Sequence, residues 1–372
     1  MKRSRTLAVA GTALALGAVA VTVGITATDP DEQRAASSVA AAAGTAWPIV
    51  QSDPAADAGS VLSDLASAPD GTLWAVGGLQ KSPAYKPVLQ RLTGGTWSDV
   101  ALPASVAPYR LRAASATSAS NLWVAAQLNT SGDSNALLRW NGTSWTTYKV
   151  PLSFQPYDIA TAGPGSAWAV GFSTAKHWNG TSWADTPIGI RPRALAAVSP
   201  TSAWAVGSAD GQPATAHWNG TSWTDVPFPA VDGTVPGEVA STLHDVYAAS
   251  GDDVWAVGSV QVPGEGGETV SRSLLAHWNG TKWTSVLGGA GSSMTEVTSD
   301  GAGGIWVLSG SGTVRHRTAA GAWTEETLTR PAGTTVRVSA LAVRPGTTTV
   351  WAVGSTITDA TRYTDLAHWR SG

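Results

Sequence analysis

The chain has 372 residues, a formal net charge of −3 and only 13% charged residues, yet it carries 19 Trp and 41 Gly. So little charge argues against long solvated helices, and the Gly, Thr, Ser and Trp content suits many short strands joined by tight turns. A slightly acidic chain is not built to hold nucleic acid by bulk charge. Having no Cys, it makes no disulfide, thiolate metal site or lipidated Cys.

The first residues read as an address. Lys2, Arg3 and Arg5 precede an uncharged run from Leu7 to Ala27. Small-residue sites at AVA (18–20) and ITA (25–27) suit signal peptidase. The run is also long enough to span a bilayer, for which about 20 apolar residues suffice. Cleaved signal and uncleaved anchor both remain open. In either case the positive flank predicts that the bulk of the chain lies outside the membrane. Residues 28–43 (TDPDEQRAASSVAAAA) read as a flexible linker, with no periodic apolar face to bury.

From residue 44 onward the sequence repeats. A unit with WAVG near its middle and a Trp-bearing GTSW segment later recurs, its first Trp falling at 74, 123, 168, 204, 255, 306 and 351. Seven units spaced by about 40–50 residues, each able to form four short strands, predict seven propeller blades. In the fourth unit the strands read as ALAAVS (a, 194–199), AWAVG (b, 203–207), ATAHW (c, 214–218) and SWTDVP (d, 222–227). Alternation along WAVG puts Trp and Val on one face and the small residues on the other. The seventh unit stops at HWRSG without a d segment, while GTAWPIV (44–50) is a d segment with no unit before it. The N-terminal strand, about 46–51, is therefore expected to close the ring as the missing d strand, covering an edge open to aggregation. All 19 Trp then hold repeat positions, where stacking between blades buries large areas.

The WAVG and GTSW segments resemble the kelch, galactose-oxidase-like propeller repeat. In that repeat an aromatic, two apolar residues and Gly-Gly end strand b, and a Trp marks strand d. The resemblance covers about 44–372 and is to a secreted bacterial variety with more Trp; only Gly77-Gly78 keeps the double glycine. It implies the fold. The copper cofactor of galactose oxidase needs a Tyr crosslinked to a Cys, which this chain cannot form. The Asp-box of sialidase propellers differs from WNGTSW in its Asp and spacing.

Local motifs read mainly as structure. Asn-Gly-Thr at 141, 179, 219 and 279 is formally a glycosylation sequon, but Asn-Gly between strands c and d predicts a type I′ hairpin. His177, His217, His277, His316 and His368 recur at the c-strand position, one per blade, which disfavours a shared metal site. GEGGE (264–268) lacks the phosphate-loop lysine and reads as a b–c loop. No GxSxG, HExxH or EF-hand sequence is present.

Function is expected on the d–a and b–c loops, which gather on one face of a propeller around the channel mouth. Two long loops of blade five, 229–242 and 259–272, offer Asp232, Glu238, Glu265, Glu268 and Arg272 as partner contacts. The starts of the inner strands offer a second set: Arg110, Arg112, Tyr157, Asp158, Arg191, Arg193, His244, Asp245, Glu296 and Arg337. Ringing the mouth, these would form an Arg-rich pocket for an anionic or polyhydroxyl ligand, since bidentate Arg suits carboxylates. The expectation is an all-β, seven-bladed β-propeller acting as a non-enzymatic extracellular binding module for a glycan or protein. It is read as a monomer with no metal, cofactor or nucleic-acid partner. The alternative is a carbohydrate-active enzyme using paired acids at the mouth, with Glu238, Glu265, Glu268 and Glu296 to inspect.

Overall fold

A computed structural model describes residues 46–53, 59–81, 84–129, 132–231, 241–264, 266–310, 312–358 and 364–372. The signal or anchor (1–27) and the linker (28–43) lie outside the described residues, as do Asp232, Glu238 and Glu265. Twenty-eight strands form seven antiparallel four-stranded sheets. β1 is Ile49–Asp53. Blade one is β2 (Val61–Ser67), β3 (Leu73–Lys81), β4 (Ala84–Thr93) and β5 (Thr96–Asp99). Blade two is β6 (Tyr109–Ser118), β7 (Asn121–Leu128), β8 (Ser134–Trp140) and β9 (Trp145–Pro151). Blade three is β10 (Asp158–Gly163), β11 (Ser166–Val170), β12 (Ala175–Trp178) and β13 (Trp183–Thr186). Blade four is β14 (Arg191–Ser199), β15 (Ser202–Ala209), β16 (Gln212–Trp218) and β17 (Trp223–Val226). Blade five is β18 (Thr242–Ser250), β19 (Asp253–Pro263), β20 (Thr269–Trp278) and β21 (Trp283–Ala290). Blade six is β22 (Met294–Ser299), β23 (Ile305–Ser309), β24 (Thr313–Arg317) and β25 (Trp323–Thr327). Blade seven is β26 (Thr334–Val343), β27 (Val350–Thr358) and β28 (Thr364–Arg370), completed by β1 in the order β1-β28-β27-β26.

The WAVG alternation divides each b strand between two cores. Trp204 and Val206 pack toward blade five, while Ala203 and Ala205 receive Trp168 and Val170 of blade three. Small residues on one face thus make room for the large residues of the preceding blade. At four blade junctions the d-strand Trp then wedges edge-on against the b-strand Trp of the preceding blade. Trp183 meets Trp123 at 5.0 Å, Trp283 meets Trp204 at 5.5 Å and Trp97 meets Trp351 at 5.5 Å. These T-shaped contacts add to the burial of two large rings. On its other side each b-strand Trp is covered by its cross-strand partner on strand c. That partner is His177, His217, His277 or His316 in blades three to six and Arg91, Arg139 or Arg370 in the others. Three of these imidazoles stack at 4.0–5.1 Å and His217 tilts over Trp204 at 4.7 Å, and each has a Ser or Asp at its Nε2. Their recurrence is a packing device.

His368 departs from this scheme. The AHW sequence of blade seven sits two residues out of register with that of blade four, so Arg370, not His368, opposes the b-strand Trp351. His368 is fully buried and stacks on Trp97 of blade one at 4.9 Å. Burial pushes its imidazole down to about 4.

Closure differs in detail from the expected 46–51 strand. Pro48 has no N–H to give a ladder, so regular pairing with β28 starts at Ile49, with a register shift before Gln51. Trp47 instead bridges to blade six, donating to Thr327 O at 2.8 Å and accepting from Thr329 N at 2.9 Å. Its ring is fully buried, lies edge-on to Trp306 at 5.0 Å, and donates through Nε1 to Glu326 at 2.5 Å. The first Trp of the described chain therefore repeats the d-to-b wedge seen elsewhere and joins the last two blades.

The c–d hairpins are corrected as well. The loops are four residues long, and in each only the Gly has positive φ (88–97°), so they are not type I′ turns. The Asn Oδ1 accepts from the Thr amide, the Thr hydroxyl and the next amide, at 2.8–3.0 Å in the loop at Asn279. The same three bonds recur at Asn141, Asn179 and Asn219. The side chain thereby substitutes for missing backbone bonds.

Replacing Trp47 by Ala should destabilise the fold by about 3–5 kcal/mol, as for other buried large-to-small changes. Urea unfolding followed by Trp fluorescence would read it. A loss below about 1 kcal/mol would mean that the ring does not depend on this closure.

Candidate functional site: an arginine rim above an acid-lined channel

The site begins with the glycine of WAVG. A Cβ at Gly77, Gly207, Gly258 or Gly354 would lie 2.0–2.2 Å from a carbonyl oxygen of the inner strand. At Gly77, Gly207 and Gly258 the close approach coincides with a bulge, where pairing skips one residue between Leu62 and Asp64, Pro192 and Ala194, and Leu243 and Asp245; blade two skips between Leu111 and Ala113, opposite Ala126. Blades six and seven skip Thr295 and Ser339 in the same way. Such bulges re-aim side chains at sheet ends. They place Arg112, Arg193 and His244 at the skipped position, with Tyr157 as the equivalent residue just before β10.

In blades one, three, five and six the next residue on the inner strand faces the channel. Four of the seven positions are acidic: Asp64, Asp158, Asp245 and Glu296. They line a cavity of about 530 Å³ to which all seven blades contribute, and which extends down to Pro69, Thr117 and Val198. None of the predicted rim arginines lines it. The structure therefore separates residues that the sequence reading joined. Asp158, Asp245 and Glu296 lie within the channel, whereas Arg110, Arg112, Arg191, Arg193 and Arg337 are exposed on the rim.

Three of the acids are stitched into the backbone. Asp64 accepts from Leu65 N at 2.7 Å and from Ala114 N of the next blade at 2.8 Å. Asp158 does the same with Ile159 N (2.7 Å) and Leu195 N (2.6 Å), and Asp245 with Val246 N (2.8 Å) and Val297 N (2.7 Å). Inner strands are thus laced in pairs: one to two, three to four, five to six. Glu296 accepts no hydrogen bond from a described residue. Desolvation pushes the Asp64 carboxyl up to about 7 and raises Asp158 well above the carboxylate range; its amide bonds oppose the rise and the other acids add to it. Asp245 and Glu296 are raised by the same desolvation, Glu296 also by the charges of Asp245, Asp64 and Asp158. His244 is lowered to about 4, by desolvation first and by the Arg193 charge second; it shares a hydrogen bond with Ser259 at 3.0 Å.

The rim itself is cationic and aromatic. Arg110 lies over Tyr85 at 4.9 Å, Arg191 over Phe172 at 5.2 Å and Arg193 over Tyr157 at 6.0 Å. Gly78 makes room for Tyr85, whose hydroxyl would lie 2.0 Å from a Cβ there. Burial raises the Tyr85 hydroxyl to about 12, and the nearby charges of Arg110 and Arg112 oppose the rise. Phe172 is 55% exposed. Arg110 also donates to Asn129. Among the described residues, five ion pairs form, and none uses a rim arginine. Sequence reasoning missed Tyr85 and Phe172, which stand outside the repeat, and Asp64, whose signal is the recurrence of an acid between apolar residues in LSDL, PYDI, LHDV and MTEV.

The blade-five contacts are dispersed. Glu268 is exposed at the tip of the β19–β20 hairpin, where Gly264 N bonds to its carbonyl at 2.6 Å. Arg272 is turned to Gly288 O at 2.8 Å. Glu268 and Glu296 do not converge on one cavity, so these two acids do not form the pair that glycoside hydrolysis requires. No group of three or more metal-ligating side chains is present among the described residues.

Acids with raised pKa favour the folded state most below their unfolded values, and that stabilisation is lost as pH rises through the folded values. Histidines with lowered pKa act oppositely, losing stability only as pH falls below 6.5. Above pH 6.5 the acids alone set the slope, so stability should fall from pH 6.5 to 8, and Glu296→Gln should flatten the fall. Urea midpoints at the two pH values test this; a rise in the wild-type chain would contradict it.

No family model matches the sequence, and no curated protein matches it. Solved structures do share the fold. The chain is similar to YCF48 from Cyanidioschyzon merolae, at 14% identity and a TM-score of 0.52 over 88% of this chain and 98% of that one. It is similar to the extracellular domain of BT4673 from B. thetaiotaomicron, at 10% identity and a TM-score of 0.55 over 84% of this chain and 39% of that one. It is also similar to Chaetomium thermophilum Sqt1 bound to the N-terminus of the ribosomal protein L10, at 10% identity and a TM-score of 0.50 over 87% and 90%. At these identities the likeness establishes the seven-bladed propeller and nothing finer.

Proposed function

We propose that the chain is a non-enzymatic binding module, held outside the membrane by its N-terminal segment or secreted, that takes an anionic glycan or protein ligand on its arginine rim. One observation carries this reading: exposed arginines recur on the inner-strand starts of blades two, four and seven without forming ion pairs among the described residues. Stacked on Phe172 and Tyr157, the Arg191 and Arg193 guanidiniums keep an N–H edge for a carboxylate or sulfate, whereas Arg110 spends part of its edge on Asn129 and Gln80. The channel acids serve another purpose, because three of them spend both oxygens on backbone amides. A fold that commits its strands to packing leaves recognition to the rim. Similar propellers include an extracellular domain and one solved bound to a protein segment, which is compatible with this use of the fold.

The test is binding of the full chain, in mild detergent, to anionic glycans, cell-wall polysaccharides and acidic proteins. Ligands found this way should lose at least about tenfold in affinity to the Arg191→Ala/Arg193→Ala variant, as expected when bidentate charge-assisted contacts are removed. Unchanged binding by the variant would move the site away from the rim.

A further inference from the structure

Along the rim, aromatic and cationic side chains alternate over five consecutive blades. Tyr85 of blade one faces Arg110 and Arg112 of blade two. Tyr157 and Phe172 of blade three face Arg193 and Arg191 of blade four, and Arg193 acts on His244 of blade five. Each Arg pair lies on one strand, two residues apart, and the second member is the residue that the bulge leaves out of the pairing and turns toward the rim. The nearest acid on the blade-two hairpin, Asp133, pairs with Lys149. Asp210, at the tip of the blade-four hairpin, is in none of the ion pairs.

We infer that this arc binds an extended acidic peptide segment that carries an aromatic or aliphatic side chain between its carboxylates. The inference rests on the rim reading above and narrows it from anionic ligands at large to one class. Charge complementarity asks for carboxylates at two places, blade two and blade four. Phe172, between them in blade order and more than half exposed, asks for an apolar side chain, because an exposed ring of this size gains by being covered. Polypeptide alternates such groups along its length, with carboxylate and apolar side chains at neighbouring positions. A uronic-acid or sulfated polysaccharide offers the charge without the apolar group.

The experiment measures fluorescence anisotropy of labelled peptides with the full chain in mild detergent. The probes are an Asp/Glu peptide of about 12 residues with a central Phe, the same peptide with a central Ser, and a Lys counterpart. Unlabelled polygalacturonate serves as competitor. The Phe peptide should bind most tightly, weaken with salt, and lose at least about tenfold to Arg112→Ala/Arg193→Ala. Phe172→Ala should cost several-fold against the Phe peptide and nothing against the Ser peptide. Arg193→Lys should not restore the full affinity, because an ammonium lacks the planar fork. Near-ultraviolet circular dichroism of the buried Trp set shows whether each variant is folded. Polygalacturonate binding through the rim without peptide binding would overturn this inference and leave the rim reading standing. Failure of every anionic probe would overturn both. Equal binding of Phe and Ser peptides would overturn the role given to Phe172.

Discussion

The structure leans on one recurring contact, a d-strand Trp wedged edge-on against the b-strand Trp of the preceding blade, made at four of the seven blade junctions. A propeller blade is a small sheet that cannot bury both faces alone, so its stability comes from its neighbours. At the junction of blades six and seven, where the ring closes, the contact is made by Trp47 on Trp306. Blade seven has three strands of its own, and β1 supplies the fourth. Trp47 reaches further and hydrogen-bonds to blade six through its backbone and its indole.

The same repeat that packs the blades also shapes the working surface. The Gly of WAVG admits a bulge in the facing strand, and the bulge turns one residue toward the rim and the next toward the channel. Rim and channel are therefore adjacent positions of one strand, yet they have opposite chemistry. Three of the four channel acids are held by amides of two blades, which aligns the inner strands, while burial opposes the ionisation of all four. Three of the rim arginines, Arg110, Arg191 and Arg193, lie over ring faces. The stitching of the channel gives the rim a rigid base, which lowers the ordering cost of binding.

Much of this was legible in the sequence. The seven blades, the b and d strands and the N-terminal closure follow from WAVG and GTSW because each motif has one packing role. The cationic rim was also in view, since Arg110, Arg112, Arg191 and Arg193 recur at the same place in the unit. What the sequence concealed is register. Asp158, Asp245 and Glu296 stand one residue past the rim position and so fall within the channel, because a bulge changes the direction of neighbouring side chains in a way no period of two predicts. His368 looked like the other c-strand histidines, but a two-residue slip in blade seven gave that place to Arg370. Tyr85 and Phe172 carried no repeat signal, because neither stands at a position that recurs from blade to blade.

Amide hydrogen exchange of the chain, with and without a saturating anionic ligand, tests the central claim most directly. The account predicts added protection at the starts of β6 and β14 and in the blade-three turn at 171–174. Those segments lie on the face of the d–a and b–c loops. Protection confined to the Asn-Gly hairpins on the opposite face, with the rim unchanged, would contradict it.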